Sequence, residues 1–452
     1  MQYKKNLVLV LFGLITVLSV QTVFGYSYSY SYSYSNSQTS NYGYTSNYNY
    51  GYNNTQTNTQ TNTQTCTVNG VSVDCSTGEP ISSGGSSQDE LCPALKFDLQ
   101  YGRDCTYKVK NLRYKAVKIS QTYSGAYFPA GATLVDVGHM NEAYKLVGQS
   151  VGFDGRKYGV ELQLSDNVTN VYYTLLGVYG YSSQGGGVDS FGNVVGAAQF
   201  AWNAPAKSAS FSGNGSSYYP TDASIYGSNG ILTDVKSSSV PYPIQHRVGT
   251  EKMTDTLNRG VYWSDSGYPN SSYYWKKAML GTSGDSSSAN AVNASGLAAG
   301  SIKVVGSSVS QAVQWTPSSN TYKTLPGLGG DSAATDINNN KTAISVGYAN
   351  QSADYRVAVK WTGSAMKQLP SLSGSGNPDD EALAITDAGD IVGVSRNQAV
   401  IWRDGKVYDL NSLLSNSLTV TLIHAAQINR QGLIIAKASD GSYYVLMPTD
   451  HL

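Results

Sequence analysis

Short apolar runs of strand length, separated by turn-forming residues, cover the chain from residue 111 to its end. Three of these runs align with one another and end in tryptophan, and their tryptophans are 46 and 41 residues apart. The runs are Gln311-Ala-Val-Gln-Trp315, Val357-Ala-Val-Lys-Trp361 and Gln398-Ala-Val-Ile-Trp402. Period-two alternation and enrichment in Val, Ile and aromatic residues predict strands, and no helical period accompanies them.

Each tryptophan begins a repeated unit with two hairpins. A turn and a second short run ending in Leu follow it, and the dipeptide Asp404-Gly405 predicts a tight two-residue turn in the third unit. A polar loop then leads to another hairpin, in which an Ile precedes a turn and further aliphatic residues, as in Ile385-Thr-Asp-Ala-Gly-Asp-Ile-Val-Gly393. Four short strands in a unit of about 40 to 50 residues are typical of a β-propeller blade.

Fainter copies of the unit lie upstream. Trp202 and Trp263 align with the later tryptophans, and the second hairpin recurs at 293–300, 189–196, 146–150 and, in degenerate form, 227–232. Residues 443–446 are interpreted as a lone first strand that closes the ring by completing a blade begun near residues 115–150. We therefore predict an all-β chain in which residues 111–452 form a β-propeller of about seven four-stranded blades, with six and eight as alternatives.

One unit resembles a known repeat. Leu325-Pro-Gly-Leu-Gly-Gly-Asp-Ser-Ala-Ala-Thr-Asp-Ile-Asn338, followed by Ala343-Ile-Ser-Val-Gly347, is similar to the unit of the bacterial "probable extracellular repeat, HAF family". That unit runs from His-Ala-Phe-x-Trp through Leu-Gly-x-Leu-Gly-Gly to Ile-Asn-x-x-Gly-x-Val-Val-Gly. The resemblance is good over 311–440 and weak over 133–306, and Gln-Ala-Val or Val-Ala-Val replaces the His-Ala-Phe. It implies an exported bacterial protein with a propeller-like repeat array, and it brings no activity and no catalytic residues.

Residues 1–25 have the pattern of a signal peptide. Lys4 and Lys5 give a positive start, residues 7–20 are almost wholly apolar, and Val23 and Gly25 precede a cleavage position before Tyr26. An uncleaved membrane anchor is the alternative, although a helical span needs about 20 apolar residues. No later run is long enough to span a membrane. We therefore expect a secreted or cell-surface protein with no transmembrane segment after signal cleavage.

Residues 26–65 form a low-complexity tract, in which Tyr-Ser dipeptides give way to Tyr, Asn and Gly and then to Thr alternating with Gln or Asn. No charged residue occurs between Tyr26 and Val73. Because the tract has too few aliphatic residues to form a core, we predict a disordered tail. It is either a spacer or a cohesive segment that self-associates by stacking and hydrogen bonding.

Residues 66–110 form a predicted neck that contains every cysteine of the chain: Cys66, Cys75, Cys92 and Cys105. In an exported protein, two disulfides are the favoured interpretation, and four cysteines allow three pairings. The spacing lacks the CxxC element of a zinc site and no His lies nearby, so a metal site and free thiols are the weaker alternatives.

The charge balance excludes some classes of function. Lys+Arg number 30 against Asp+Glu 30, only 13% of residues are charged, and there are 4 His. A net charge of zero excludes binding of nucleic acid or of an anionic membrane as the main role. The scarcity of His leaves little material for acid–base chemistry.

Few residues suggest a site. The recurring aromatics Trp202, Trp263, Trp315, Trp361 and Trp402 are interpreted as core residues between blades rather than sugar platforms. Asp379, Asp380 and Glu381 form the densest acidic cluster, in a loop between two hairpins, and are the candidate ligand-binding residues. A calcium or sugar contact is one interpretation of this cluster and a solvated loop is the other. No catalytic motif is present, so no catalytic residue and no cofactor other than calcium is predicted.

Two functions from different classes fit these features. The first is a secreted or cell-surface, non-enzymatic binding or structural protein, in which the tail is cohesive or tethering and the propeller presents loops to an extracellular protein or glycan. The second is a secreted carbohydrate-active enzyme, a hydrolase or lyase, with its site at the propeller funnel. Convergent acids with an Arg or His on one face would favour the enzyme.

Overall fold

The computed structural model describes residues 57–58, 64–68, 71–74, 112–119, 133–152, 154–164, 171–176, 181–199, 201–212, 219–221, 229–238, 244–254, 257–264, 276–352, 355–375 and 377–449. The chain splits into two compact units, Met1–Asp89 and Glu90–Leu452. The predicted signal peptide and most of the predicted tail and neck lie outside the described residues. Where the structure describes the chain, no helix is both long enough and apolar enough to cross a membrane.

The first unit contains a small antiparallel sheet. Its strands are β1 (Thr57–Asn58), β2 (Gln64–Val68) and β3 (Val71–Asp74), in the order β1-β2-β3. β1 and the start of β2 belong to the tract that was predicted to be disordered, so this part of the tail forms strands. Cys66 lies in β2 opposite Val73. The other three cysteines lie outside the described residues, and the disulfides stay a prediction.

The second unit consists of seven antiparallel sheets of four strands, which we call blades 1 to 7. Blades 1 to 6 each use four consecutive strands, whereas blade 7 takes its fourth strand from far upstream. Within a blade, the strands are named here from the innermost to the outermost. Blade 1 is β5 (Thr133–Met140), β6 (Lys145–Val151), β7 (Lys157–Leu164) and β8 (Val171–Leu176); blade 2 is β9 (Ser182–Val188), β10 (Val194–Gln199), β11 (Lys207–Ser212) and β12 (Tyr219–Thr221); blade 3 is β13 (Gly230–Ser237), β14 (Gln245–Lys252), β15 (Asn258–Ser264) and β16 (Lys276–Met279); blade 4 is β17 (Ser286–Val292), β18 (Ala298–Lys303), β19 (Gln311–Thr316) and β20 (Thr321–Thr324); blade 5 is β21 (Ser332–Ile337), β22 (Ile344–Ser352), β23 (Tyr355–Thr362) and β24 (Ala365–Gln368); blade 6 is β25 (Glu381–Ile385), β26 (Ile391–Ser395), β27 (Gln398–Arg403) and β28 (Lys406–Asp409); and blade 7 is β29 (Leu422–Ile428), β30 (Ile434–Ala438), β31 (Tyr443–Pro448) and β4 (Tyr114–Lys118).

The innermost strands define a closed ring. Each lies next to the innermost strand of the following blade, and β29 of blade 7 lies next to β5 of blade 1. One 3₁₀ turn, Leu410–Leu413, follows blade 6. The prediction of an all-β propeller of about seven four-stranded blades is confirmed.

The prediction that the C-terminal strand closes the ring in a blade that begins near residue 115 is confirmed, but β31 is not a lone first strand. It is the third strand of blade 7, which also contains β29 and β30. The N-terminal strand β4 pairs with it as the outermost strand, with Tyr114 opposite Pro448 and Lys118 opposite Tyr444. The repeat seen in the sequence is also displaced by half a blade, because its second hairpin supplies the two inner strands of the next sheet.

A glycine recurs on the second strand of six blades, where the innermost strand carries an irregularity of register, a β-bulge. A Cβ atom at each of these glycines would lie 2.0 to 2.1 Å from a carbonyl oxygen of the innermost strand, so only glycine fits. The glycines are Gly148, Gly196, Gly249, Gly300, Gly347 and Gly393. In blade 3 this position is Gly249, so the degenerate hairpin predicted at 227–232 is wrong, because those residues include the start of β13.

Four of the five predicted core tryptophans are buried on the third strands of blades 3 to 6. Trp263, Trp315, Trp361 and Trp402 are 0 to 5% exposed. Each packs against side chains of the preceding blade, and Trp361 and Trp402 donate their Nε1–H to the carbonyl oxygens of Pro326 and Pro370, at 2.8 and 2.7 Å.

Trp202 was aligned incorrectly with these four tryptophans. It lies in the loop between β10 and β11 and is 75% exposed. The register of blade 2 puts Phe211 at the equivalent buried position, opposite Val194 as Trp315 is opposite Ala298. The sequence pattern therefore selected an aromatic residue of the loop before β11 in place of the aromatic residue within β11.

Candidate functional site

The acidic cluster predicted as a ligand site lies in the connection from β24 to β25. Its three side chains have different environments. The Asp379 side chain is 72% exposed, whereas Asp380 is buried and accepts the Arg396 backbone N–H at 3.2 Å. Arg356 of β23 donates from Nη1 to Glu381 Oε2 at 3.0 Å, and its Nε lies 3.8 Å from Asp379 Oδ1. The loop is therefore held by an arginine.

The Arg356 guanidinium contacts two of the three acids, Asp379 and Glu381, whereas Oδ2 of the buried Asp380 has no hydrogen-bond partner within the described part of the chain. Burial raises the pKa of Glu381, and the neighbouring Arg356 acts in the opposite direction. Among the residues that the structure describes, no group of three or more His, Cys, Asp or Glu side chains is placed to hold a metal ion. Calcium binding stays a prediction from the sequence.

The central channel of the ring holds a cavity of about 300 Å³. Its lining comes from the innermost strands of six blades, at and beside their bulges. Polar and titratable side chains dominate: Asp136, His139, Thr233, Asp234, Lys236, Asn290, Thr335, Asp336, His424 and Gln427. His424, which the repeat alignment treats as incidental, is among them.

The bulged residues of blades 3, 4 and 5 link neighbouring blades across the channel wall. Thr233 Oγ1 donates to the Ala289 carbonyl at 3.0 Å, and Thr335 Oγ1 donates to the Ala382 carbonyl at 2.7 Å. Between them, Asn290 Nδ2 donates to the Ala334 carbonyl of blade 5 at 2.8 Å. Because the bulge frees one side chain per innermost strand from the ladder, that side chain can satisfy a carbonyl of the neighbouring blade.

Two aspartates beside the bulges clamp adjacent blades. Asp336 Oδ1 accepts the N–H of Ile337 in its own strand at 2.7 Å, and Oδ2 accepts the N–H of Ile385 in blade 6 at 2.8 Å. Asp234 makes the same pair of contacts between blades 3 and 4, at 2.9 and 3.0 Å. These carboxylates replace backbone partners that the bulged strands lack.

A series of hydrogen-bonded polar groups follows one mouth of the channel, where the turns after the innermost strands lie. The Ala294 N–H donates to Asn339 Oδ1, and the Asn339 N–H donates to Asp387 Oδ1, at 2.8 and 2.7 Å. Arg430 continues the series, with Nη2 2.9 Å from Asp387 Oδ2 and its N–H donating to Glu142 Oε2 at 2.9 Å. This series of hydrogen bonds joins five blades, from blade 4 through blades 5, 6 and 7 to blade 1.

Lys236 lies between the channel and this mouth and is the main cation of the cavity. Its Nζ is 3.7 Å from Asp234 Oδ1. Burial acts to lower its pKa, but the carboxylates of Asp234, Asp336 and Glu142 outweigh burial and raise it. Lys236 therefore stays a cation that balances the acids around it.

Burial changes the titration of three further groups in the channel. It raises the pKa of Asp336 to about 6, against the effect of the Lys236 cation. It lowers the pKa of His139 and of His424, so both imidazoles are neutral at pH 7. The cavity thus combines neutral imidazoles with a paired Lys and Asp.

The fold and channel define this chain as a seven-bladed β-propeller with a polar, closely cross-linked central cavity. Compared with known proteins, the chain matches no family model, and no curated protein matches it significantly. The resemblance to the HAF repeat stays a prediction from residues 311–440.

The channel residues were missed by the sequence analysis, although a signal exists. In several units they immediately precede the Ile or Val of the second hairpin, as in Thr335-Asp336-Ile337, Asn290-Ala291-Val292 and Ala426-Gln427-Ile428. A polar residue at this place interrupts the apolar alternation of an inner strand. That interruption marks a bulge whose side chain faces the channel.

Proposed function

We propose that this protein is an exported, non-enzymatic binding or structural protein. Its propeller presents loops to an extracellular protein or glycan, and its Tyr-rich tail is cohesive or tethering. The signal-peptide pattern of residues 1–25 and the resemblance to an extracellular repeat support export. The closed ring supports the binding role, because rigid blades hold the loops between strands in defined positions.

The observation that carries this proposal is that the acidic side chains of the channel form hydrogen bonds within the protein. Among the described residues, five acidic side chains line the cavity and its mouth, and each has a partner from the protein itself. Asp234, Asp336, Glu142 and Asp387 accept backbone N–H groups, and the Tyr443 hydroxyl donates to Asp136 at 3.3 Å. A glycosidase needs a pair of carboxyl groups that face the substrate, and here the carboxyl groups hold the ring together.

The alternative, a carbohydrate-active enzyme, has one observation in its favour. The Asp336 carboxyl, with a pKa of about 6, lines a cavity beside Lys236, and a raised carboxyl pKa suits a general acid. Both Asp336 oxygens accept backbone hydrogen bonds, which supports a structural role over a catalytic one.

One experiment separates the two functions. The full-length secreted protein is incubated with a panel of polysaccharides, and released reducing ends and unsaturated products are measured beside retention on the same polysaccharides in immobilised form. We expect no product, whether or not the protein is retained. Turnover in the wild type that Asp336→Asn abolishes while the protein stays folded would favour the enzyme.

The role of the tail is tested with two variants, one that lacks the tail and one that lacks its tyrosines. Ten tyrosines occur between Tyr26 and Tyr52. We expect that deleting residues 26–65 abolishes self-association in sedimentation velocity, and that replacing these tyrosines by Ser does the same, because stacking requires the rings. If the Ser variant associates as the wild type does, the tail is not cohesive through its tyrosines.

A further inference from the structure

The most exposed aromatic side chain in the described part of the chain belongs to a fixed turn. Trp202 is 75% exposed, between β10 and β11 of blade 2. Gln199 Nε2 donates to the carbonyls of Trp202 and Ala204, at 3.1 and 2.7 Å, and Gln199 Oε1 accepts the Ser182 hydroxyl at 2.8 Å. The turn is therefore held before any ligand arrives, which lowers the entropic cost of binding.

The indole is one end of a continuous group of side chains on blades 1 and 2. The Tyr181 ring lies 6.1 Å from the Trp202 ring, at an interplanar angle of 79°. The Arg156 guanidinium lies 4.4 Å from the centre of the Tyr181 ring, and its Nε is 3.4 Å from Asp154 Oδ2. The Tyr158 hydroxyl donates to the same oxygen at 2.9 Å. We name these five residues the aromatic platform.

The charged end of the aromatic platform is also ordered by the backbone. The Arg156 N–H donates to Asp154 Oδ1 at 3.0 Å, and Gly155 of the same turn has φ +72°. This backbone hydrogen bond is the main reason that the pKa of Asp154 is lowered, so the carboxylate is ionised at neutral pH. The pair offers an acceptor and a donor group of opposite charge, with no net charge.

The chemistry of the aromatic platform matches a sugar. A pyranose ring has an apolar C–H face, which stacks on an exposed aromatic ring, and hydroxyl groups that both donate and accept. Because the charges of Asp154 and Arg156 cancel, the platform favours a neutral sugar over an acidic one. We infer that the aromatic platform binds a neutral glycan, with a pyranose ring stacked on Trp202 and hydroxyl groups hydrogen-bonded to Asp154 and Arg156.

This inference rests on the proposed binding function and adds a partner class and a place. A protein partner is the competing occupant, since Val305, 69% exposed, lies on the corresponding turn of blade 4, between β18 and β19. Turns between second and third strands share one edge of the ring, so a protein that covers this edge would contact both residues. A pyranose ring stacked on Trp202 has no need of a contact with Val305.

The test uses the full-length secreted protein on an array of neutral oligosaccharides of glucose, galactose, mannose and N-acetylglucosamine, beside uronic-acid and sulfated ones. The strongest neutral oligosaccharide is then titrated against the wild type, Trp202→Ala and the matched control Val305→Ser. We expect Trp202→Ala to weaken binding about tenfold or more, and Val305→Ser to leave it unchanged within about twofold. Because both side chains are exposed, both variants should unfold at the wild-type temperature.

Three outcomes would overturn the inference. They are retention of acidic oligosaccharides alone or of none, equal weakening by both variants, and wild-type affinity in Trp202→Ala. In the last case a glycan still binds elsewhere, so the proposed function survives while the aromatic platform does not. If no oligosaccharide is retained, the proposed function is decided separately by the turnover assay.

Discussion

A missing Cβ atom shapes the inner edge of six of the seven blades. At Gly347 an added Cβ would lie 2.0 Å from the Ala333 carbonyl oxygen, which belongs to the rigid ladder of β21. The clash cannot be relieved by a side-chain rotation, because the atom it meets is backbone. In blade 5 the bulge, and with it the polar residue that faces the channel, lies opposite this glycine, whereas the corresponding bulge of blade 7 lies opposite Ala436.

We predict that Gly347→Ala lowers the free energy of unfolding by about 2 to 4 kcal/mol. Gly327→Ala is the matched control, because its Cβ would meet only Ser332 Oγ at 3.5 Å, and it should stay within about 0.5 kcal/mol of the wild type. Urea titration followed by tryptophan fluorescence measures both variants. Equal stabilities for the two would show that the inner strand can move.

The Asp336 carboxyl makes stability depend on pH. Its pKa is 3.8 in the unfolded chain, and burial raises it to about 6 in the folded protein. The folded protein therefore binds this proton more tightly, so the contribution is complete below the unfolded pKa and is lost as pH rises through the folded pKa. The loss amounts to at most about 3 kcal/mol.

We predict that Asp336→Asn removes this part of the pH dependence. Between about pH 4 and pH 6.5, the stability of the variant should fall less than that of the wild type. Urea midpoints across this range measure the difference between the two proteins. Parallel curves would contradict a raised pKa at Asp336.

At the scale of elements, β4 is the strand whose pairing partner lies farthest away in the sequence. Ala116 in this strand donates its N–H to Asn416 Oδ1 at 2.8 Å, and its carbonyl accepts Asn416 Nδ2 at 3.0 Å. β4 is thus paired with β31 on one side. On its other side lie the Asn416 amide, the Ser415 N–H, which donates to the Tyr114 carbonyl at 2.7 Å, and a parallel bridge from Tyr114 to Leu414. Residues 414–416 thus cover the outer edge of the blade.

We predict that Asn416→Ala lowers the free energy of unfolding by about 1 to 3 kcal/mol, because two backbone groups of β4 lose their partner. Hydrogen exchange at the Ala116 amide should accelerate more than exchange in β31. Ser319→Ala, in an exposed turn of blade 4, serves as the control and should leave both quantities unchanged. Equal protection of Ala116 in Asn416→Ala and in the wild type would remove Asn416 from the closure.

The sequence predicted the elements that are specified by local signals. Tight turns such as Asp404-Gly405 and the tryptophans of blades 4 to 6 marked four strands per unit and a blade count near seven. The three-stranded sheet in the first unit was missed, although Val68-Asn-Gly-Val71 has the sequence of a tight hairpin. The Thr/Gln alternation before it contains no aliphatic residue, and this composition predicts disorder.

Contacts between distant segments were not predictable in the same way. The partner of β4 lies more than 300 residues downstream. The repeat pattern predicted that residues 443–446 close the ring near residue 115, but the alternation within Tyr114–Lys118 does not give the register of the pairing. The channel lining depends on bulges, each of which shifts the register and changes which side chains face inward. Trp202 shows the same limit, because its environment is decided by the burial of Phe211 in the next strand.

At the scale of the whole molecule, blades 1 to 6 and blade 7 differ in how the chain makes them. The first six are each formed by one continuous segment, and polar side chains of the inner strands tie several of them to their neighbours. Blade 7 joins the two ends of the propeller through five residue pairs between β4 and β31. The Ile119 and Thr449 N–H groups extend this ladder by donating to the Tyr443 and Arg113 carbonyls, at 2.8 and 2.9 Å. Closure of the ring therefore depends on residues that immediately follow the predicted neck.

This closure has a mechanical consequence. The chain enters β4 at Tyr114, so tension carried along the preceding residues reaches the ring at the Tyr114–Pro448 pair, beside the end where β31 leaves. Tension between the two chain ends loads the ladder one pair at a time, and the third pair is the one that Asn416 reinforces through Ala116. Blade 7 would open under load while the six continuous blades stay intact, and it could reclose once the load is removed. In a propeller tethered by its N-terminal tail, the pairing of β4 with β31 would thus be the contact that separates first under tension.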